Sequence, residues 1–567
     1  MRKQWQLPQI QEPASVQELA NELSIHPLLA GMLFDRGIKT AAAAQQFFQP
    51  KLSDLHDPFQ MKDLAKAVER ILQAAEKGDK VLLYGDYDVD GTSSVALMYA
   101  FLESLSMDLD YYIPNRHSEG YGLSIKGVEY AQKEDCKLLI SLDCGIRAKD
   151  SVAAANKAGM DVIICDHHLP EGALPNALAV LNPRRQDCSY PYKELSACGV
   201  AFKLVQGICH RLELKREMYE SLLDLVVMSI ASDVVPLTGE NRILAYFGLQ
   251  QINREPRLGV KALMRCSRKT PPLNISDLVF GLGPRINAAG RMADASLAVR
   301  LLLSQDEGAA FQLAEYLNRR NDYRKELDQK TTEEARNLVE QIPDWKAQKV
   351  LLLYQPHWHK GVLGIVASRL AELYHRPVIV LADDEDGNLS GSGRSVPGFD
   401  LHDSLQVCEK YLLRFGGHRQ AAGMSLLAKN LESFRKAFYQ TAQAQLKDGI
   451  QPAVQALAGE IDLRDLNSTF WNSLQGFAPF GPANHRPIFL SRQVVDTGYA
   501  KLLKERHLRM SLRQNGSRSI AAIAFDMGDK LGEVTKGAFD ICYVLEQNHW
   551  KGKKSLQLMV KDILPST

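Results

Sequence analysis

The sequence is poor in cysteine patterning, in long apolar runs and in net charge. Its nine cysteines are scattered, with no Cys-x-x-Cys pair. An odd number in so long a chain argues against a disulfide framework or a zinc ribbon and for reduced thiols in a cytosol. The first residues, MRKQWQLPQI, hold no apolar core of signal-peptide length. No window approaches about 18 uninterrupted apolar residues, which argues against a membrane-spanning helix. There is no internal repeat and no low-complexity tract. Net charge is only +1, so a polyanion-binding surface has to be a local patch. These absences lead us to expect a cytoplasmic protein with no membrane partner.

At 567 residues the chain is too long for one hydrophobic core and implies roughly three or four domains of about 150 residues each. Hydrophobic content of 45% and charged content of 24% are those of an ordinary soluble globular protein.

The stretch VLLYGDYDVDGTSS, Val81 to Ser94, organises the rest. Val81 to Tyr84 reads as a buried strand that ends in three acids at alternate positions, Asp86, Asp88 and Asp90. Gly91 and Thr92 then turn the chain into an apolar segment, Val95 to Leu105, of helical length. Further apolar runs repeat the plan. Lys137 to Leu142 ends in Asp143-Cys144-Gly145, Asp161 to Cys165 in Asp166-His167-His168, and Ala177 to Leu181 in Asn182-Pro183. Strand–helix alternation predicts a parallel sheet with helices on both faces. The strand C-termini of such a sheet share one edge, where ligands bind. Asp86, Asp88, Asp90, Asp143 and Asp166-His167-His168 are therefore expected to converge there. Crowded carboxylates repel one another unless a cation neutralises them, and hard oxygen donors suit Mg²⁺, Mn²⁺ or Ca²⁺.

Residues 1–75 read as helical and peripheral, with an Ala-rich helix near Lys39 to Phe48. Leu222 to Ser232 is an apolar helix ending at Asp233. Ala295 to Ile342 is a long charged helical pattern, read as a connecting helix over 301–345. A second α/β unit follows, with strand Val350 to Tyr354, helix Val362 to Tyr374 and strand Val378 to Leu381. It closes with Gly416-Gly417-His418 and Ala421-Ala422-Gly423. After about 455 short strands dominate, in His507 to Arg513, Ser519 to Phe525, Phe539 to Leu545 and Ser555 to Val560, which suggests a small barrel. The expected division is 1–75, 76–300, 301–345, 346–450 and 455–567.

Asp86-x-Asp88-x-Asp90-Gly91 matches the first half of a calcium loop, but the twelfth position, where that loop needs a bidentate Glu, is Leu97. Asp88 to Thr92 also fits the D-x-D-G-T of haloacid-dehalogenase-like phosphatases, with Asp88 as nucleophile, Asp90 as acid and Asp383-Asp384 as a metal pair. Gly85, Asp86 and Tyr87 interrupt the apolar run that family needs, and Asp143 and the histidines are left without a role. A metal site uses all of them. Asp143, alone in its loop, is the natural bridge between two ions, and Asp233 is expected to complete the shell of the second ion. His167 among carboxylates suits Mn²⁺, which leaves His168 to donate to a phosphate oxygen. Two cations about 3.5–4 Å apart form a clamp for phosphoryl displacement. Basic patches lie at Arg254 to Lys269 and at Lys501 to Arg518, each with six Lys/Arg against one acid. Tyr499 and Phe525 flank the second as stacking candidates.

YGDYDVDGTSS, SLDCG, CDHH and SIASDVVPL resemble motifs one to four of the DHH phosphoesterase superfamily. GLGPRINAAGRM, HKGVLGIVASRL, SGSGRS and FGGHRQAAG resemble its single-strand-specific 5′→3′ DNA exonuclease branch. The resemblance runs from about residue 50 to the end. It implies a parallel-sheet DHH domain and an α/β DHH-associated domain joined by a long helix, with a C-terminal β-barrel of the oligonucleotide-binding fold. It further implies Asp86, Asp88, Asp90, Asp143, His167 and Asp233 as ligands of two Mn²⁺ or Mg²⁺ ions, with Asp88, Asp143 and His168 as catalytic residues. Arg285, Asn287 and Arg291 would contact the nucleotide backbone, and His359, Gly417 and His418 the substrate. Arg116, Ser392 and Arg394 would hold a 5′-phosphate. One departure is Tyr84, where other branches place a metal-binding His. The implied activity is hydrolysis of single-stranded DNA to 5′-mononucleotides in recombination and mismatch repair. A single-strand-binding protein and a helicase are the implied partners of a monomer. A small-molecule phosphatase and a catalytically dead binding module are the other classes. The former needs no barrel, and the latter should have lost motif acids, whereas none is missing here.

Overall fold

The computed structural model describes residues 3–566 apart from Ile10, Gln11, His117, Glu385 and Lys551. The chain divides into two compact units. One comprises Trp5–Lys261, Lys269–Gly283 and Gln455–Thr567, and the other Met1–Gln4, Ala262–Arg268 and Pro284–Val454.

In the first unit, strands Leu109–Tyr112, Val81–Gly85, Leu138–Leu142, Asp161–Cys165 and Ala179–Leu181 lie in that spatial order, all parallel. Val81–Gly85 and Leu138–Leu142 are buried at every position, as strands covered by helices on both faces must be. Leu109–Tyr112 adds a strand to those expected. Its sequence, LDYY, is no apolar run, because at the sheet edge it is only half-buried. Helices Ile125–Lys133 and Lys149–Lys157 bury one face, in a core that includes Leu82, Tyr84, Leu139, Val162 and Ile164. Val89–Ser104 and Ala197–Arg211 pack on the other, and Leu223–Ser232 packs against those two helices.

The helix after the first strand begins at Val89, six residues before the expected Val95. Asp88 caps it, its Oδ1 accepting the N–H groups of Asp90 at 2.8 Å and Gly91 at 3.1 Å. That cap satisfies donors a helix start leaves free and lets glycine and threonine occupy the first turn. Gly91 is required there, since a Cβ would lie 2.4 Å from the Asp86 carbonyl oxygen.

The same unit contains a closed barrel. Strands Phe489–Asp496, Phe539–Trp550, Lys553–Pro565, Ile520–Ala524 and His507–Arg513 pair in that order. Val495 and Asp496 then pair back to Arg513 and Leu512, which closes the ring and removes its free edges. The N-terminal helices Pro13–Leu23, Pro27–Phe34 and Ala41–Phe48 are not peripheral. Val16, Leu19, Leu29 and Leu33 share one core with Phe489, Leu508, Leu512 and Tyr543 of the barrel. Short amphipathic helices need such a partner, because tertiary packing supplies most of their stability.

The second unit holds a mixed sheet in the order Arg414–His418, Ala421–Leu427, Asn388–Arg394, Val378–Asp383, Leu351–Tyr354, in which only the last pair is parallel. The long helix is Glu307–Gln341. The charged pattern from Ala295 is broken before it. Ser296–Leu302 is a separate helix, and Asp306 caps the long one by accepting the Ala309 N–H at 2.7 Å. Among the described residues no helix is long and apolar enough to cross a membrane.

Candidate metal centre

The sheet ladder itself brings the acids together. Each of three strands is extended by one residue whose N–H bonds to its neighbour. Asp86 donates to Leu142, Asp143 to Cys165 and Asp166 to Leu181, at 3.3, 2.9 and 3.0 Å. Asp86, Asp143 and Asp166 therefore stand side by side on the C-terminal edge. The Val81 strand lies between its successor in sequence and the Leu138 strand, so the chain reverses its direction of winding at this point. That is the ligand-binding crevice of an open α/β sheet. Asp143 has φ +62°, a left-handed conformation that costs a non-glycine residue energy and gathers at functional sites.

The side chains form three overlapping groups, within each of which the ligand atoms lie within 4.8 Å of one another. They are Asp86, Asp88 and Asp143; Asp90, His167 and Asp233; and Asp143, His167 and His168. Every residue expected as a metal ligand is present, and Asp143 belongs to two groups. His167 Nε2 lies 3.4 Å from Asp143 Oδ1, 3.5 Å from Asp233 Oδ2 and 3.9 Å from Asp90 Oδ2. Asp86 Oδ1, Asp143 Oδ1 and both ring nitrogens of His167 are buried without a protein hydrogen-bond partner. Orphaned buried acceptors of this kind are costly unless something satisfies them.

Electrostatics point the same way. Burial and the charges of neighbouring acids hold the Asp86, Asp88 and Asp143 carboxyls above the usual carboxylate range. Burial, with Asp90 and Asp88, pushes Asp233 up to about 9. Burial lowers His167 and so favours the neutral imidazole that ligates metals. An oxygen-rich set with one imidazole fits Mn²⁺ or Mg²⁺.

The second unit holds the other residues expected to contact DNA, apart from Arg116 and the barrel's stacking candidates. Arg394 Nη1 donates to Ser392 Oγ at 3.0 Å, and both face Gly364 in the first turn of helix Leu363–Tyr374. A hydroxyl, a guanidinium and a helix N-terminus make an anion site. Burial lowers the Arg394 guanidinium's affinity for its proton. Arg285 Nε donates to Asn318 Oδ1 at 2.9 Å, Asn287 is half-buried on the same helix, Gly283–Met292, and Arg291 approaches the Gly361 carbonyl at 3.5 Å. His359 accepts the Gly361 N–H at 3.0 Å. Gly417, at φ +142°, and His418 lie on the Arg414–His418 strand of the hairpin, where a Cβ at 417 would meet the Ala421 carbonyl at 2.3 Å. Arg116, in the first unit, lies over the Tyr87 ring at 4.8 Å. On the barrel, Leu508, Met510 and Leu512 point inward while Arg509 and Arg513 are exposed, and Tyr499 and Phe525 are exposed aromatics. The Arg254 to Lys269 patch is partly consumed internally, since Arg257 pairs with buried Asp224 at 2.6 Å and Lys269 with Asp277 at 2.7 Å.

Models of three families match the chain: the N-terminal domain of the DHH family over residues 80–230, the DHHA1 domain over 347–444 and the RecJ OB domain over 457–562. The single-stranded-DNA-specific exonuclease RecJ of Bacillus subtilis is 36% identical over 560 residues, 98% of this chain and 70% of that protein. This chain belongs to the RecJ family. Among solved structures, RecJ of Thermus thermophilus in complex with Mn²⁺ matches with TM-score 0.85 and 28% identity, covering 99% of this chain and 79% of that one. The same protein in complex with Mg²⁺ matches at TM-score 0.80 and 27% identity, covering 100% and 79%.

Two roles in this RecJ-family site escape a reading of the motifs: that of Asp166, expected at the sheet edge with His167 and His168 but given no part of its own, and that of Tyr121. Asp166 joins no ligand group. Its Oδ1 accepts the backbone N–H of His167 at 2.7 Å and of His168 at 3.0 Å and faces His168 Nδ1 at 2.7 Å, and its Oδ2 accepts the Ile146 N–H at 3.0 Å. Burial alone would raise this carboxyl, but these hydrogen bonds and the His168 charge bring it down to about 2. For His168 burial is likewise outweighed, and Asp166 turns it upward. Tyr121 is the other. Its hydroxyl donates to the Asp143 carbonyl at 3.0 Å and lies 3.1 and 3.2 Å from the ring nitrogens of His168. The only signal for it in the sequence is its place between Gly120 and Gly122. Tyr84 points into the core beside Leu82 and Leu139.

Proposed function

We propose that this chain is a metal-dependent exonuclease that hydrolyses single-stranded DNA from the 5′ end to 5′-mononucleotides, in DNA recombination and repair. What supports it most is the set of buried, unpartnered atoms of Asp86, Asp143 and His167 on one sheet edge, in a chain of the RecJ family. Asp86, Asp88 and Asp143 would hold one divalent cation, and Asp143, Asp90, His167 and Asp233 a second. Mn²⁺ or Mg²⁺ bound there supplies a water activated near neutral pH and positive charge for the scissile phosphate.

The protein's own groups do the rest. Asp166 orients the His168 imidazole and favours its protonated form, so that His168 can donate to a phosphate oxygen as charge develops. Asp88 both ligates and caps the Val89 helix, which fixes its carboxylate. Ser392 and Arg394 would hold a terminal 5′-phosphate, and Arg116, in the other unit, would contact a phosphate of the strand. Arg285, Asn287, Arg291, His359, Gly417 and His418 contact the sugar–phosphate chain. Each cut breaks a P–O3′ bond and leaves a phosphate on the next nucleotide, which renews the ligand for Ser392 and Arg394. Barrel arginines and exposed Tyr499 and Phe525 would hold the strand by charge and stacking. We further propose a cytoplasmic monomer that works with a single-strand-binding protein and a helicase.

The test is hydrolysis of a long single strand, a blunt duplex and dinucleotides with Mn²⁺, with Mg²⁺ and with chelator. The single strand alone should be degraded, only with metal, and not by Asp143→Ala. Cleavage of dinucleotides but not of the long strand would overturn the substrate.

A further inference from the structure

Tyr84 is fully buried, two residues before Asp86. Its hydroxyl uses both of its hydrogen-bonding roles on one loop, donating to the Gly122 carbonyl at 2.8 Å and accepting the Ser124 N–H at 3.1 Å. Its ring stacks on Tyr112, with centroids 5.6 Å apart and planes 16° from parallel. Tyr112 donates to Glu119 Oε2 at 3.1 Å, and the Glu119 carboxylate also accepts Ser124 Oγ at 2.7 Å and the Asn115 N–H at 2.8 Å. Asn115 to Ser124 is thus tied near both ends. Between the ties stands Tyr121, 55% exposed, with its hydroxyl on Asp143 and His168. Room for the arrangement is reserved by Gly127, where a Cβ would lie 2.3 Å from the Tyr84 ring.

An exposed loop with Gly120 and Gly122 at φ +84° and +99° loses much conformational freedom when held in one place. A buried hydroxyl satisfied on both sides is a strong tie, because breaking it leaves a carbonyl and an N–H unpaired. Displacing a catalytic group by about 1 Å costs about 100-fold in rate.

We propose that Tyr84 is a positioning residue, acting through Gly122 and Tyr121 on His168, with Glu119 as the second tie of the same loop. The inference rests on the function proposed above. It assigns position 84 to the loop and to no metal ion.

The test compares Tyr84→Phe, Tyr121→Phe, the double variant, Glu119→Ala and Glu119→Gln in the full chain. Tyr84→Phe keeps the ring and its stack and removes only the hydroxyl. Its kcat on single-stranded DNA should fall about 10- to 100-fold with KM nearly unchanged, and the Ser124 amide should exchange at least about tenfold faster. Mn²⁺ affinity by calorimetry should stay within about twofold, because only the loop ties are cut. The double variant should be no slower than the slower single one, since two residues on one path do not add. Glu119→Ala should speed loop exchange and Glu119→Gln should restore it, which tests the tie independently of how well Tyr84→Phe folds. Weaker Mn²⁺ binding by Tyr84→Phe, additive losses in the double variant or unchanged loop exchange would each overturn the proposal. A wild-type protein that leaves single-stranded DNA intact with either ion overturns the function itself. An active wild type with an indifferent Tyr84→Phe overturns only the positioning role.

Discussion

Asp90 Oδ1 accepts the N–H of Cys198, 108 residues later in the chain, at 2.8 Å. Its Oδ2 accepts the Ala197 N–H at 2.9 Å, and Ser229 Oγ donates to Oδ1 at 2.7 Å. A motif acid is therefore seated on the first turn of helix Ala197–Arg211, where a helix favours negative charge.

Asp90 should consequently matter to the fold as well as to metal binding. Asp90→Ala leaves two buried backbone N–H groups, of Ala197 and Cys198, without their acceptor, while Ser229 Oγ can still donate to Ser196 Oγ at 2.7 Å. The expected loss is about 1–3 kcal/mol of stability even with chelator present, read as a lower thermal midpoint. An unchanged midpoint in chelator would confine Asp90 to the metal.

Asp143 should behave in the opposite way. Its buried Oδ1 has no protein partner, and burial and neighbouring acids disfavour its charge. Asp143→Asn removes one crowded charge at nearly constant volume. In chelator it should be more stable than wild type by roughly 1–3 kcal/mol. Mn²⁺ should raise the midpoint of wild type by mass action and much less that of the variant. A destabilised metal-free variant would contradict the charge-crowding account.

What the sequence made legible follows from how local each signal is. Val81–Gly85, Leu138–Leu142 and Asp161–Cys165 are buried on both faces, so they read as unbroken apolar runs, and each ends in an acid. The edge strand Leu109–Tyr112 has no such run, and the cap that moved the helix start to Val89 is a single carboxylate. Tyr121 acts through a hydrogen bond to a residue 22 positions away, Asp143, which no local pattern records, and the role of Asp166 depends on how its side chain folds back on His168. The union of the N-terminal helices with the barrel depends on a core that includes both Leu33 and strand residues more than 400 positions on.

Leu33 tests that union. It is completely buried in the shared core. Leu33→Ala should cost about 2–5 kcal/mol and lower the denaturation midpoint of the barrel, followed through the aromatic signal of Tyr543. Unfolding of the N-terminal helices with the barrel unaffected would contradict a common core.

The barrel surface makes a separate prediction. Tyr499→Ala and Phe525→Ala should each lose about 1–3 kcal/mol of affinity for single-stranded DNA in chelator if a base stacks there. Arg509→Ala should reduce the steepness of log K against log salt by about 0.7. Fluorescence anisotropy over a salt series reads both. Affinity unchanged in all three variants would remove this face from the DNA path.

The cluster of Asp86, Asp88, Asp90, Asp143, His167 and His168 at one sheet edge, joined by Asp233 from the end of helix Leu223–Ser232, is proposed to cut single-stranded DNA from its 5′ end with a divalent cation. The most direct measurement is a time course with Mn²⁺ or Mg²⁺ on 5′-labelled and 3′-labelled copies of one strand, beside a blunt duplex. The 5′ label should leave at once as a mononucleotide, the 3′-labelled strand should shorten progressively and the duplex should survive. Immediate release of the 3′ label, internal cuts, or equal loss of the duplex would contradict it.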